Sequence, residues 1–188
     1  VIAPVRVTSA SELPLPRFEG RIILGRIPGD DRQYIVEERF RFIDSKGNVV
    51  DVPKLLLTDG TSVGRVLGLP VIGFVVRWII DGDQFTGPFA DGAIPHDLEY
   101  GSVVCSSLWE AFVHSLRAAA DRRYREAAMC RWVLIGDTLY PRKPAPAWRA
   151  WAAWAVLRLL GAPAFMEDNG AARESLRAMG LLSVQEAS

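Results

Sequence analysis

The chain has 188 residues, and its 22 Lys and Arg are balanced by 22 Asp and Glu, so its formal net charge is zero. With 49% hydrophobic and 23% charged residues it carries enough apolar side chain for a core, which excludes a disordered chain. The length suits one domain, and the lack of a basic surplus or a nucleotide motif speaks against a nucleic-acid binder, polymerase, nuclease or kinase.

Residues 1–17, with Pro4, Pro14 and Pro16, read as an extended arm. Val1–Gly20 lacks the apolar stretch of a secretory signal. Phe18–Ile27 alternates like a strand, Pro28-Gly29-Asp30-Asp31 is a turn, and Tyr34–Ile43 is strand-like again. Ser45-Lys46-Gly47-Asn48 predicts a hairpin turn with Val49–Val52 returning. Lys54–Leu57 is a further short strand, closing into Thr58-Asp59-Gly60-Thr61-Ser62. Val63–Ile80 is apolar and predicts one or two short buried helices. Its longest apolar run, Val66–Val76, contains Pro70 and is far short of the roughly 20 residues that span a bilayer, so no transmembrane segment is expected. Asp81-Gly82-Asp83 and Thr86-Gly87-Pro88 are loop chemistry.

A helix is expected around His96, ending near Gly101. A long one is expected from about Ser106 to Ile135, with Leu108, Phe112, Leu116, Ala120, Tyr124, Ala127 and Ala128 as its apolar stripe. On a continuous helix Cys105 and Cys130 would lie roughly 37 Å apart at 1.5 Å per residue, so free thiols and a reducing compartment are expected. Tyr140–Pro146 is a stiff connector. Trp148–Leu160 is a helix whose Trp148, Trp151 and Trp154 are placed in the core in preference to a membrane interface. Ala171–Leu182 is a last, polar helix. The expected architecture is α+β: a small N-terminal antiparallel sheet followed by a mainly helical C-terminal half. One domain spans 18–165, with an arm at 1–17 and a peripheral helix in 166–188.

The chemistry concentrates in Ile94-Pro95-His96-Asp97-Leu98-Glu99-Tyr100, which holds one of the two histidines. Pro95 suits a first helical turn, so the helix is expected to start there. Positions i and i+4 share a helix face, which stacks Tyr100 over His96. If the next helix packs antiparallel, Asp121 meets His96. A carboxylate on one imidazole nitrogen orients the ring and leaves the other free as a base. Plainer roles also fit these residues. His96 suits a capping or core histidine, Asp97 a first-turn carboxylate on the helix dipole, and Asp59 a turn residue. Ser62 has no separate activating base. His114 and the run Arg122, Arg123, Arg125 and Arg131 read as solvated.

The order Thr58-Asp59-Gly60-Thr61-Ser62-Val63, His96-Asp97-Leu98-Glu99-Tyr100 and Ala120-Asp121, ahead of a Trp-rich helix, resembles the domain of unknown function 1353 family of bacteriophages, prophages and bacteria. The resemblance covers roughly residues 45–165. Gly64 stands where that family usually has proline, and Glu99 where it has an apolar residue. It implies a phage setting, in the host cytoplasm or the virion, with other phage proteins or an envelope substrate as partners, and no established activity. More distantly, His96, Asp97 and Tyr100 with Asp121-Arg122 are similar to the secretory phospholipase A2 motif, without its disulfides or its Gly-rich calcium loop. That similarity implies His96 as base, Asp121 as its orienter, Tyr100 as support and Asp97 as a ligand of calcium or another divalent ion. Asp59-Gly60 or Asp81-Gly82-Asp83 would supply further oxygens, with Asp59 the first choice. Two functions are therefore expected: a hydrolase of an ester or other envelope bond, or a virion or accessory protein in which the same residues form a buried structural network.

Overall fold

A computed structural model describes residues 3–9, 13–27, 30–58, 87–102, 108–162 and 176–180. The strands are β1 (Val5–Arg6), β2 (Arg17–Glu19), β3 (Leu24–Ile27), β4 (Asp30–Val36), β5 (Phe40–Ile43), β6 (Val49–Val52), β7 (Leu57–Thr58), β8 (Trp132–Ile135) and β9 (Thr138–Pro141). The helices are α1 (Pro88–Gly101), α2 (Leu108–Val113), α3 (Ser115–Met129) and α4 (Ala147–Leu160). The expected α+β class is what forms. A six-stranded sheet has the order β1-β9-β8-β2-β5-β6, and a three-stranded sheet the order β3-β4-β7.

Alternation decides the sheet faces. Phe40 and Phe42 on β5 point inward, as do Val50 and Val52 on β6, while Arg41, Val49 and Asp51 face solvent. Asp44 builds the expected hairpin turn. Its carboxylate accepts from the backbone N–H of Lys46 (2.8 Å) and Asn48 (2.9 Å) and from the Asn48 amide (2.8 Å). Gly47 supplies the positive φ of +82°. The two long strands expected at 18–27 and 34–43 are each divided. Gly20 turns out of β2 at φ +95°, and Glu37-Glu38-Arg39 separates β4 from β5, so each stretch serves both sheets.

The long helix expected over 106–135 is three elements. His114 breaks it with extended backbone, and its Nδ1 accepts from Leu116 N–H at 3.3 Å to start α3. The break turns Leu116, expected in the apolar stripe, half out to solvent. At the other end α3 stops at Met129, and Trp132-Val133-Leu134-Ile135 pairs with Thr138–Pro141 across Gly136-Asp137. A β-branched and aromatic run followed by a Gly-first two-residue loop is a hairpin signal that outweighed the helical stripe. β8 pairs parallel with β2, with Phe18 beside Val133, and β9 pairs with β1 in the N-terminal arm. The sheet is thus mixed. The spacing argument for the cysteines fails with the continuous helix; Cys105 lies outside the described residues, and Cys130 is buried.

Phe18, Phe40, Phe42, Val50, Val52 and Leu56 pack on Ile94 and Ala127, joining the sheets to α1 and α3. Leu176, in the segment expected to be peripheral, is buried in the same cluster. α1 and α3 run antiparallel, since Gly92 lies against Tyr124 and Ala128 while Tyr100 reaches Asp121. α4 packs on α3 and α1 through Ala150, Ala153 and Leu157. Its tryptophans are not the buried face: Trp148 and Trp151 are 52% and 50% exposed. Small side chains let the helices approach closely and leave the indoles on the flank. There the Arg125 guanidinium sits 3.8 Å over the Trp151 ring. Among the described residues no helix is long and apolar enough to cross a membrane. The expected helices within 63–80 and the full 171–182 helix lie largely outside the described residues.

A Cβ on Gly92 would come 3.1 Å from Tyr124 O and 3.3 Å from Ala128 N, both backbone atoms. Gly92→Val should force α1 off α3 and cost roughly 1–3 kcal/mol, read as a lower urea midpoint. An unchanged midpoint would contradict this packing.

Candidate functional site

α1 starts earlier than the sequence suggests. Pro88 occupies its first turn behind Gly87 (φ +91°), and Pro95 lies inside the helix. His96 is therefore a mid-helix residue, and the first-turn acid is Asp91, not Asp97. The i,i+4 expectation holds: the His96 and Tyr100 rings stack with centroids 3.9 Å apart.

Asp121 comes from the facing side of α3 and is fully buried. Its Oδ1 lies 3.1 Å from His96 Nε2 and accepts from the Tyr100 hydroxyl at 2.5 Å. Its Oδ2 accepts from Arg158 Nη1 of α4 at 3.0 Å and lies 3.9 Å from Arg117 Nε, one turn earlier on α3. A carboxylate beside Nε2 makes that nitrogen the protonated one, so Nε2–H donates to Asp121. The other ring nitrogen, Nδ1, is 3.7 Å from Asp97 Oδ1, an ion-pair distance too long for a hydrogen bond. The Asp97 carboxylate is held by the Thr58 hydroxyl of β7, which donates to Oδ2 at 2.6 Å.

Four of the expected site residues, His96, Asp97, Tyr100 and Asp121, thus come together, and Asp59 lies outside the described residues. Arg117 and Arg158 were not read from the sequence as site residues; Thr58 was read only as part of the Thr58–Ser62 motif, and Tyr124 only as part of the apolar stripe, where it is buried. Arg117 had a signal, its i,i+4 spacing to Asp121. Arg158 had none, because nothing local says which face of α4 meets α3. Arg117 is itself fully buried; its guanidinium donates to the carbonyls of Leu157 and, at 3.0 Å, Arg158, capping the last turn of α4.

Burial alone would pull the His96 pKa down, but the hydrogen bond to Asp121 and the negative charges of Asp121 and Asp97 raise it to about 9. For Asp121 burial pushes upward, and His96, Tyr100 and Arg117 outweigh it, so its carboxyl stays below the usual range. Burial, then the Asp121 charge, raises Tyr100 well above an ordinary phenol. At neutral pH the centre is therefore an imidazolium between two carboxylates. His96 is only 6% exposed. The cleft of about 380 Å³ lined by Arg21, Ile22, Ile23, Asp91, Val133, Ile135 and Arg142 does not touch it.

Among the described residues no group of three or more His, Cys, Asp or Glu is placed to hold a metal ion. Asp97 brings one carboxylate to an ion that takes six to eight oxygens, so the described residues do not by themselves make a calcium site.

The ion pair fixes a pH dependence of stability. The folded pKa of His96 is raised to about 9 from the ordinary imidazole value of 6.5, so its contribution is complete below about pH 6.5 and lost as pH rises through 9. Asp121, lowered, contributes above its unfolded value near 4 and loses that contribution as pH falls. Urea unfolding should show a plateau between about pH 4 and 6.5, then a loss on the order of 3 kcal/mol by pH 10. Asp121→Asn should flatten most of the alkaline limb; an equally steep limb in that variant would remove His96 as its source.

No protein-family model, curated protein or solved structure matches the chain.

Proposed function

We propose that this chain is a phage-associated hydrolase of an ester or related bond of the cell envelope, with His96 as its base. One observation carries the reading: His96 Nε2 meets Asp121 at 3.1 Å, Tyr100 shares that oxygen, and Nδ1 is left without a hydrogen bond to Asp97. A neutral ring in this setting takes a proton from water at Nδ1 as the water oxygen bonds to the carbonyl carbon. Asp121 stabilises the imidazolium that forms, and the imidazolium returns the proton to the departing alkoxide. The phage setting rests on the motif order of Thr58-Asp59-Gly60, His96-Asp97 and Ala120-Asp121.

A second reading is favoured by the burial of the ring and its charge at neutral pH. In it the chain is a non-enzymatic virion or accessory protein. The network then locks Thr58 of β7, His96 of α1, Asp121 of α3 and Arg158 of α4 together. Breaking such a buried pair on one side costs about 3–5 kcal/mol.

The two readings part in one assay. Purified protein is offered phospholipid vesicles, short-chain esters and cell-wall sacculi between pH 6 and 10. The hydrolase should turn over faster by about tenfold per pH unit up to about 9, as the neutral ring is populated. His96→Asn should abolish that rate. No hydrolysis at any pH, with a large loss of melting temperature in His96→Asn, would establish the lock in its place.

A further inference from the structure

The turn that divides the stretch 18–27 between the two sheets also opens a cleft. Gly20 leaves β2 at φ +95°, where its N–H donates to Leu134 O of β8 at 2.9 Å. Arg21-Ile22-Ile23 then crosses to the three-stranded sheet, where Ile23 O accepts from Glu37 N–H at 2.9 Å. β8 continues to Ile135, and the fork between them holds a cleft of about 380 Å³. Small-molecule sites run from roughly 300 to 1,000 Å³. Alternation puts Val133 and Ile135 on one face of β8, and Ile22 and Ile23 line the cleft with them. All four are only half-buried, although Ile22 and Val133 already pack on the core. An aliphatic chain laid along them would take that remaining apolar surface out of water.

The charged lining is uneven. The Arg142 guanidinium is built in: it pairs with the Asp91 carboxylate, donates to Ala127 O at 2.9 Å and lies 4.8 Å over the Phe18 ring. Arg142 and Asp91 therefore neutralise each other. Arg21 is exposed, and among the described residues its guanidinium has no ion pair or hydrogen bond. Two arginines against one aspartate leave one net positive charge on the lining, and it belongs to Arg21. An ammonium ligand would meet that charge with no free carboxylate to offset it. A phosphate monoester would bring a second negative charge beside Asp91. A monoanion matches the lining.

We propose that this cleft binds a small aliphatic carboxylate, its chain along Ile22, Ile23, Val133 and Ile135 and its carboxylate on Arg21. The cleft does not touch His96, and the proposal is independent of the hydrolase reading.

Octanoate is the probe, titrated calorimetrically into the whole chain at physiological salt. It should bind at one site, about tenfold tighter than octanol, which has the same chain without the charge. Heptanoate, one methylene shorter, should bind about fourfold more weakly than octanoate. Arg21→Ala should remove most of the advantage over octanol and leave the urea midpoint unchanged, since the side chain is exposed. Amide shifts in an NMR titration should concentrate at Ile22, Ile23, Val133 and Ile135. Octanol binding as tightly as octanoate would remove the anion seat. Full octanoate affinity in Arg21→Ala, or shifts centred elsewhere, would remove the site from this cleft. Octyl phosphate binding more tightly than octanoate would overturn the choice of a monoanion, and no saturable octanoate binding would overturn the proposal as a whole. None of these readouts involves turnover, so their failure is distinct from a failure of the hydrolase reading.

Discussion

The Asp121 carboxylate is the interaction on which the rest depends. It is fully buried, and it is shared by His96 and Tyr100 of α1, Arg158 of α4 and Arg117 of its own helix. A lone carboxylate in such a place would be driven to protonate. Here the surrounding cations and donors keep it ionised, so the charge requires all three helices to be in place. That requirement is directional. Hydrophobic contact alone would let α1 slide along α3, whereas two hydrogen bonds to one oxygen fix the register of His96 and Tyr100.

Close approach makes the charge network possible. Gly92 on α1 has no side chain and Ala127 and Ala128 on α3 have only methyl groups, so little holds the backbones apart. Ala150 and Ala153 do the same for α4. Arg117 then reaches across to the end of α4 and satisfies carbonyls that the helix cannot. The small residues and the buried ions serve one end: short interhelix distances put short, strong electrostatics within range.

Much of this was legible in the chain because it is periodic. The alternation of Phe40, Phe42, Val50 and Val52 gave a sheet face, Asp44 and Gly47 a turn, and the i,i+4 pair His96 and Tyr100 a shared helix face opposite Asp121. What was not legible depended on tertiary choice. His114 can continue a helix or cap one, and only the packing of α2 against α3 selects the cap. Trp132–Ile135 carries an apolar stripe that suits helix or strand, and the open edge of β2 decides it. The tryptophans of α4 mark a helix face rich in area, but alanine fits the narrow gap against α3. Pro95 looked like a beginning because proline favours first turns, and Pro88 already held that position.

The position of the β8–β9 hairpin has a consequence for how the molecule is made. In the sheet order β1-β9-β8-β2-β5-β6, strands far apart in the chain interleave: the hairpin at 132–141 is inserted between two strands laid down before residue 20. β5 and β6 can join one side of β2 while the chain is still short, since their partners are near in sequence. The other side of β2 waits for more than a hundred residues, and closing so long a loop is entropically costly and slow. During synthesis β2 therefore presents an open hydrogen-bonding edge until the helices have emerged and carried the hairpin back to it. An emerging chain shields such an edge with a chaperone or risks pairing it with a neighbour.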